Sequence, residues 1–242
     1  MIRSVPIAAL TLRSLLDRRR FWLMVLLAAA PVVMTLVVTL FADRMFGEGI
    51  YRQLIVRTVL PLVALVFGTA ALGTELDDGT IVFLLTKPIR RARIVLAKAV
   101  VAAGLTAALM VPATLLTGLV GSLQDPALGE ATVAYAVAVA AGGSAYTLGF
   151  LALSTFTTRA LAVGLAYVLI WEGVLSGLFE GTQLFSVRQA TLGLAALLQG
   201  QTAADADTID GTTSIVVLTI IIVGSLALAT WRLSRFQLRG GD

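Results

Sequence analysis

Residues Phe21–Phe41 read FWLMVLLAAAPVVMTLVVTLF, twenty-one positions without a charge. A bilayer hydrocarbon core about 30 Å thick takes about 20 helical residues at a rise of 1.5 Å each, so this run alone is long enough to cross. Five further apolar runs follow, at about Leu54–Gly73, Ile94–Gly121, Thr132–Phe156, Ala160–Phe179 and Thr213–Trp231. Together the six take up over half of the 242 residues. Backbone in lipid must satisfy its own hydrogen bonds, and runs this long and rich in Ala and Leu do not suit barrel strands, so helices are predicted. The expected fold is an all-α polytopic integral membrane protein of six transmembrane helices, a single transmembrane domain over residues 1–242. The first run exceeds a signal-peptide core, no Ala-x-Ala pattern follows it, and five more runs succeed it, so it is expected to stay in the mature chain.

Composition agrees. A hydrophobic fraction of 58%, 13% charge and a mean hydropathy of +0.95 exclude an ordinary soluble domain and exclude disorder. With no Cys and no His, disulfide frameworks, thiolate nucleophiles and the commonest metal ligand and general base are all excluded. The net charge of +4 is decided by its distribution. Six spans put both termini on one side, and that side carries fourteen of the eighteen basic residues, leaving only Arg44, Arg52, Arg57 and Arg188 on the other. The positive-inside rule then places both termini in the cytoplasm, with the basic residues as topology determinants and contacts to membrane lipids rather than a nucleic-acid surface.

Ahead of the first span, residues 2–20 set Val5, Ala8, Ala9, Leu12, Leu15 and Leu16 at helical spacing, with Arg3, Arg13 and Asp17 toward the other side. This pattern predicts an amphipathic elbow helix in the membrane interface. The loop after the second span reads GTELDDGTIVFLLTKPIRRAR over Gly73–Arg93. Thr74 and Asp77 have capping-box spacing, Glu75, Asp77 and Asp78 suit the positive end of a helix dipole, and Pro88 stops the run. A short helix over about 75–86 is expected, with Leu76, Thr80, Phe83 and Leu84 on one face. Too short to span, it lies flat on the membrane or fits a groove in a cytosolic partner.

Glu75, then Gly79-Thr80, Leu84-Leu85-Thr86-Lys87-Pro88-Ile89, and Arg91, Ile94 and Lys98 behind them make this loop similar to the signature of the type-2 ABC exporter permeases. The resemblance extends to the architecture: elbow helix, six spans, a coupling helix between spans two and three, and a partly re-entrant outer segment between spans five and six. It implies a permease that pairs with a second permease copy, the same or different; sixteen Arg against two Lys, with abundant Ala, Val and Gly, suggest a GC-rich bacterial genome and so a bacterial plasma membrane. A separate ABC ATP-binding subunit would drive it, receiving the coupling helix in its groove and carrying the ATP and Mg, with no cofactor on this chain. Glu75, Asp78, Gly79, Thr80, Phe83 and Pro88 are then the residues expected to couple the two subunits. No Gly-x-x-x-x-Gly-Lys-Ser/Thr occurs, and the only two lysines, Lys87 and Lys98, lie outside any glycine-rich loop, so the chain is not expected to hydrolyse ATP alone.

Between spans five and six, Ser186-Val187-Arg188-Gln189 has capping-box spacing and opens a helix of about thirteen residues closed by Gly200. It reads as a re-entrant helix shaping the outer exit or as an amphipathic connector. The acidic stretch Asp205–Asp210 lacks EF-hand spacing and is expected to be a solvated loop. Charge within a span is expensive, so Glu172 must face protein or water. It lies about 10 Å inside the outer end of the fifth span, and Arg57 about 5 Å inside the same face of the second, a depth match that suggests an outer gate made by the two; a contact of Glu172 with a neighbouring Ser or Thr is the alternative. Phe67, Trp171 and Glu172 interrupt aliphatic surface on spans two and five and are the substrate-pathway candidates. Gly142, Gly143 and Gly149 mark span four as a packing centre, while Pro31, Pro61 and Pro112 can kink their spans. Two other function classes remain open, a proton- or cation-coupled transporter or channel using Glu172 and a membrane-bound lipid-modifying enzyme. The latter lacks any cluster that completes coordination around Glu75, Asp77 and Asp78.

Overall fold

The computed structural model describes residues 11–12, 14–16, 18–41, 47–77, 91–175, 180–202 and 208–235, and among them every regular element is helical. Helix α1 is Arg18–Phe41. Helix α2 starts as a π-helical stretch, Ile50–Val59, and continues as Leu60–Asp77. Arg91–Gly121 is α3 and Pro126–Ser154 is α4. Helix α5 joins Ala160–Ala166 to a second π-helical stretch, Tyr167–Leu175. A 3-10 segment at Glu180–Phe185 leads to α6, Val187–Leu198, and α7 is Gly211–Ser234.

Five helices among the described residues are long and apolar enough to cross a membrane: Phe21–Phe41, Ile50–Gly73, Arg91–Gly121, Pro126–Ser154 and Gly211–Ser234. The fifth predicted run is helical too, but as Ala160–Val174 it reaches only about 22 Å, short of a hydrocarbon core by itself.

Helix starts lie outside the apolar runs because polar caps set them. Asp125 accepts from the Ala127 amide at 3.1 Å with Pro126 in the first turn, so α4 begins six residues before the Thr132 expected from hydropathy. Asp210, the last residue of the expected acidic loop, caps α7 by accepting from the Thr212 and Thr213 amides, and residues 203–207 lie outside the described residues. After Gly73 the outcome differs from expectation. Helix α2 runs on without a break to Asp77, so Thr74 sits inside it instead of capping a new helix. No proline or left-handed glycine stands there to stop it. The rest of the expected coupling helix, from Asp78 onward, lies outside the described residues. So does most of the elbow; within it Thr11 and Leu15 are buried and Leu12 and Leu16 exposed.

Span four is the packing centre. The most apolar windows of α2 and α4 are 67% buried, whereas those of α1 and α7 are 22% buried and turn Trp22, Leu26, Leu40, Ile220 and Val223 outward. A Cβ on Gly142 would meet Thr191 of α6, with the Thr191 Cγ2 at 2.9 Å, and one on Gly143 would meet Leu60 and Thr106 at 3.0 and 3.2 Å. Gly68 of α2, unremarked in the sequence reading, is as tight, with Phe150 Cβ at 2.9 Å. Gly149 has only Ser225 Oγ at 4.0 Å, so it is not needed for close approach. Thr106 and Thr147 tie α3 to α4 by a 2.9 Å hydroxyl pair at the buried interface.

Helix α2 begins in π geometry over Ile50–Val59, with i→i−5 bonding. The Leu60 amide accordingly bonds the Ile55 carbonyl, and the Thr58 hydroxyl donates to the Gln53 carbonyl at 3.0 Å.

Candidate functional site

Glu172 lies in the π-helical half of α5 and is 1% exposed. Its carboxylate is met by three donors. The Ser186 hydroxyl donates to Oε2 at 2.5 Å, and the Val187 amide and Tyr167 hydroxyl donate to Oε1 at 2.9 and 3.1 Å. Ser186 is also the N-cap of α6, accepting from the Gln189 amide at 3.1 Å. Glu172 thus caps α6 from a different helix. A negative group at the amide end of a helix satisfies an orphan donor and matches the dipole there, which gives a physical reason for an acid at this depth. The contact with Ser186 fits the Ser-or-Thr alternative read from the sequence. Gln189 completes only half of the expected capping box: its carboxamide Oε1 has no partner. Gly200, at φ +71°, closes the helix by allowing the Gln201 amide to bond the Ala196 carbonyl at 2.9 Å.

Two arginines close the other side of the same knot. Arg57 donates to the Gly173 carbonyl at 2.9 Å and to Gln53 Oε1 at 3.0 Å, and Arg188 donates to the Glu172 carbonyl at 3.2 Å. Cations therefore sit on the carbonyl end of α5 while its carboxylate sits on the amide end of α6, each satisfying the sign of the local dipole. The structure brings Arg57 and Glu172 to one place, as the depth match suggested, with the Arg57 hydrogen bond landing on the neighbouring Gly173 carbonyl. Burial, followed by the Arg57 guanidinium, holds Arg188 below the usual arginine range, and Glu172 opposes them. Tyr146 of α4 is buried beside this group and its hydroxyl has no hydrogen-bond partner.

The remaining pathway candidates are placed differently. Trp171 is half-buried and its indole N–H donates to the Phe185 carbonyl at 3.4 Å. Phe67 is 1% exposed and packs into the core. An open cleft of about 350 Å³ lies between α1, α2 and the start of α5, lined by Leu23, Met24, Val66, Thr69, Ala70 and Leu161 among others. Of the coupling candidates, Glu75 lies on the last turn of α2, while Asp78, Gly79, Thr80, Phe83 and Pro88 lie outside the described residues.

At the opposite end, two ties flank that loop. Lys98 is 1% exposed, and its ammonium donates to the Ala71 carbonyl of α2 at 2.8 Å. Arg91, at the first position of α3, donates to the Leu233 and Ser234 carbonyls that end α7, the latter at 2.8 Å. In the sequence both stand behind the loop signature, on the side rich in basic residues, with no partner predicted for either. No spacing rule predicts a bond between residues 142 apart. Arg232 over the Phe156 ring at 5.7 Å gathers the link between α4 and α5 to the same end.

Residues 16–179 match the sequence profile of a family described as ABC-2 family transporter protein. The match runs from just before α1 through α5, so it takes in the loop after α2 as well as Arg57 and Glu172, and it ends before α6 and α7. No curated protein matches the chain.

Proposed function

Because the chain belongs to the ABC-2 transporter membrane family, we propose that it is the membrane-spanning permease subunit of an ATP-driven exporter, paired with a second permease copy and coupled to separate ATP-binding subunits. The observation that carries this reading is the family match across more than half of the chain. It favours the transport class over the ion-coupled carrier and the lipid-modifying enzyme.

In this reading six segments cross, both termini are cytoplasmic, and α6 is re-entrant at the outer side. The ATP-binding subunit engages the loop after α2 through Glu75, Asp78, Gly79, Thr80, Phe83 and Pro88. Its stroke reaches the bundle through the two spans that flank the loop. Lys98 joins those spans, and Arg91 carries the displacement to the end of α7, so α2, α3 and α7 respond together. At the outer side the Arg57 and Glu172 contacts act as a gate: when α2 and α5 part, α6 loses its cap and the exit opens. Phe67 meets cargo only in that parted state, whereas Trp171 lies at the rim in both.

Co-expression with ATP-binding subunits and affinity capture from detergent tests the reading. A stable complex is expected whose ATPase chain is lost when residues 78–87 are replaced by a flexible linker. Capture of the permease without any of the co-expressed ATP-binding chains would sink it.

A further inference from the structure

The open cleft between α1, α2 and the start of α5 takes no part in the contacts around Glu172 or in the ties made by Lys98 and Arg91, and its walls divide by chemistry. Val66, Ala70 and Gly73 stand four and three residues apart, so they form one stripe of α2, with the smallest residues toward the Lys98 end. Val66 lies about 10 Å deeper than Gly73 at the helical rise. Leu23 and Met24 of α1 and Leu161 of α5 complete the apolar wall. Helix α1 packs chiefly on α3 and far less on α2, which leaves the groove beside this stripe unfilled. Its volume of about 350 Å³ falls in the usual range of about 300–1,000 Å³ for sites that hold a small molecule.

The mouth of the cleft is polar and cationic. Thr157 and Thr158 line it, and Arg159 follows them on the short link between α4 and α5. Thr157 Oγ1 accepts from the Arg159 amide at 3.2 Å. The Thr158 hydroxyl and the Arg159 guanidinium are exposed and have no hydrogen-bond or ion-pair partner among the described residues. Helix α1 opens with Arg18, Arg19 and Arg20, one turn ahead of Leu23 and Met24. Trp22, 62% exposed, adjoins Leu23, and Phe156 and Trp231 are exposed at the same end, as aromatic side chains at the headgroup level are. The cleft therefore runs from the headgroup level into the hydrocarbon. A water-soluble anion would leave its apolar stripe unmatched, and a lipid without net charge would leave Arg159 unmatched. An acyl chain joined to a negative headgroup matches both.

We propose that this cleft holds one anionic phospholipid of the leaflet at the Lys98 end, with an acyl chain along Val66, Ala70 and Gly73 and the phosphate at Thr158 and Arg159. The site is a property of this chain in its membrane and does not rest on the permease reading.

The chain holds three tryptophans, so Trp171→Phe with Trp231→Phe leaves Trp22, beside the cleft, as the reporter. In phosphatidylcholine nanodiscs, small fractions of phosphatidylglycerol brominated on the acyl chain should quench Trp22 emission steeply and saturably. Brominated phosphatidylcholine should quench only in proportion to its share. Ala70→Phe fills the cleft and should make the phosphatidylglycerol curve proportional as well. Arg159→Gln should raise the fraction needed for half-quenching about fivefold. Arg235→Gln, the same loss of charge at the same end, should change it less than about twofold. Proportional quenching by both lipids in the parent protein overturns the proposal, and this is the result expected if a second copy of the chain covers the cleft. Saturable quenching by both lipids alike overturns the anionic assignment. Equal weakening by Arg159→Gln and Arg235→Gln overturns the site in favour of general attraction to a basic surface. Should Ala70→Phe not fold, the two-lipid comparison and Arg159→Gln, on its exposed link, decide alone. No ATP-binding subunit is present in this assay, so its failure leaves the permease reading standing, and failed capture of that subunit leaves the lipid site standing.

Discussion

The two ends of the bundle handle buried charge in different ways. At the Glu172 end an acid, two arginines, two tyrosines and a helix N-terminus crowd together, the flanking helices are π-helical, and several polar atoms are left without partners. At the Lys98 end the helices are regular α-helix, and Lys98 and Arg91 reach across to carbonyls of neighbouring spans, with the Nε of Arg232 the one buried side-chain atom there without a partner among the described residues. π-Helical turns concentrate at functional sites, and partly satisfied polar groups lie close in energy to alternative arrangements. Regular helices tied by direct bonds move as rigid bodies instead. Under the proposed function, change of shape would belong to the first end and transmission of force to the second.

Removing the acid should have the largest effect. Glu172→Ala strips three donors of their common acceptor and is expected to cost about 3 kcal/mol or more, read as a lowered melting temperature in detergent. Glu172→Gln, which keeps one acceptor oxygen, should recover about half of that loss. If alanine is tolerated as well as glutamine, the acid is not what holds α6. Next comes the packing beneath the site. Gly142→Ala drives a methyl into Thr191 and should cost about 1–3 kcal/mol, while Gly149→Ala, with its nearest neighbour at 4.0 Å, should melt with the parent protein. Equal melting of the two variants would remove α6–α4 contact from the account.

Lys98→Met tests the other end. A buried cation replaced by an apolar side chain of similar length is expected to change stability by no more than about 1 kcal/mol in either direction. The ATPase rate of the assembled complex should nonetheless lose its dependence on the permease. Should this variant destabilise the fold as much as Glu172→Ala does, the division between the ends fails. Tyr146→Phe is the smallest expected change: deleting an unpartnered hydroxyl should leave the melting temperature unaltered or raise it by about 1 °C, equivalent to a few tenths of a kcal/mol. A clear fall would mean that the hydroxyl is bonded.

Much of the site could be read in advance through depth alone. Arg57 and Glu172 match in depth because a helix converts residue count into distance along the membrane normal, and Arg57 ends on the Gly173 carbonyl, beside Glu172 but not on its carboxylate. Depth carries no information on rotation about the helix axis, so the donors that hold the carboxylate went unidentified. Tyr167 sits five residues away on the same helix in π geometry, and Ser186 and Val187 arrive from a segment fourteen and fifteen residues on. One signal was available: a Ser at a helix start near a buried acid of similar depth satisfies both. The late start assigned to α4 has a similar cause. Hydropathy registers the apolar middle of a helix, whereas the chain begins the helix at a polar cap, here Asp125-Pro126.

By itself, the sequence determined that this chain is a bundle of membrane helices belonging to a transporter family. A run of apolar residues longer than lipid is thick has no other structure in which its backbone is bonded. Tertiary structure alone decided which charges meet. Whether Arg57 finds a partner 116 positions away depends on how each helix turns and how closely glycines let it approach. Those quantities belong to pairs of helices, and no single stretch of chain contains them.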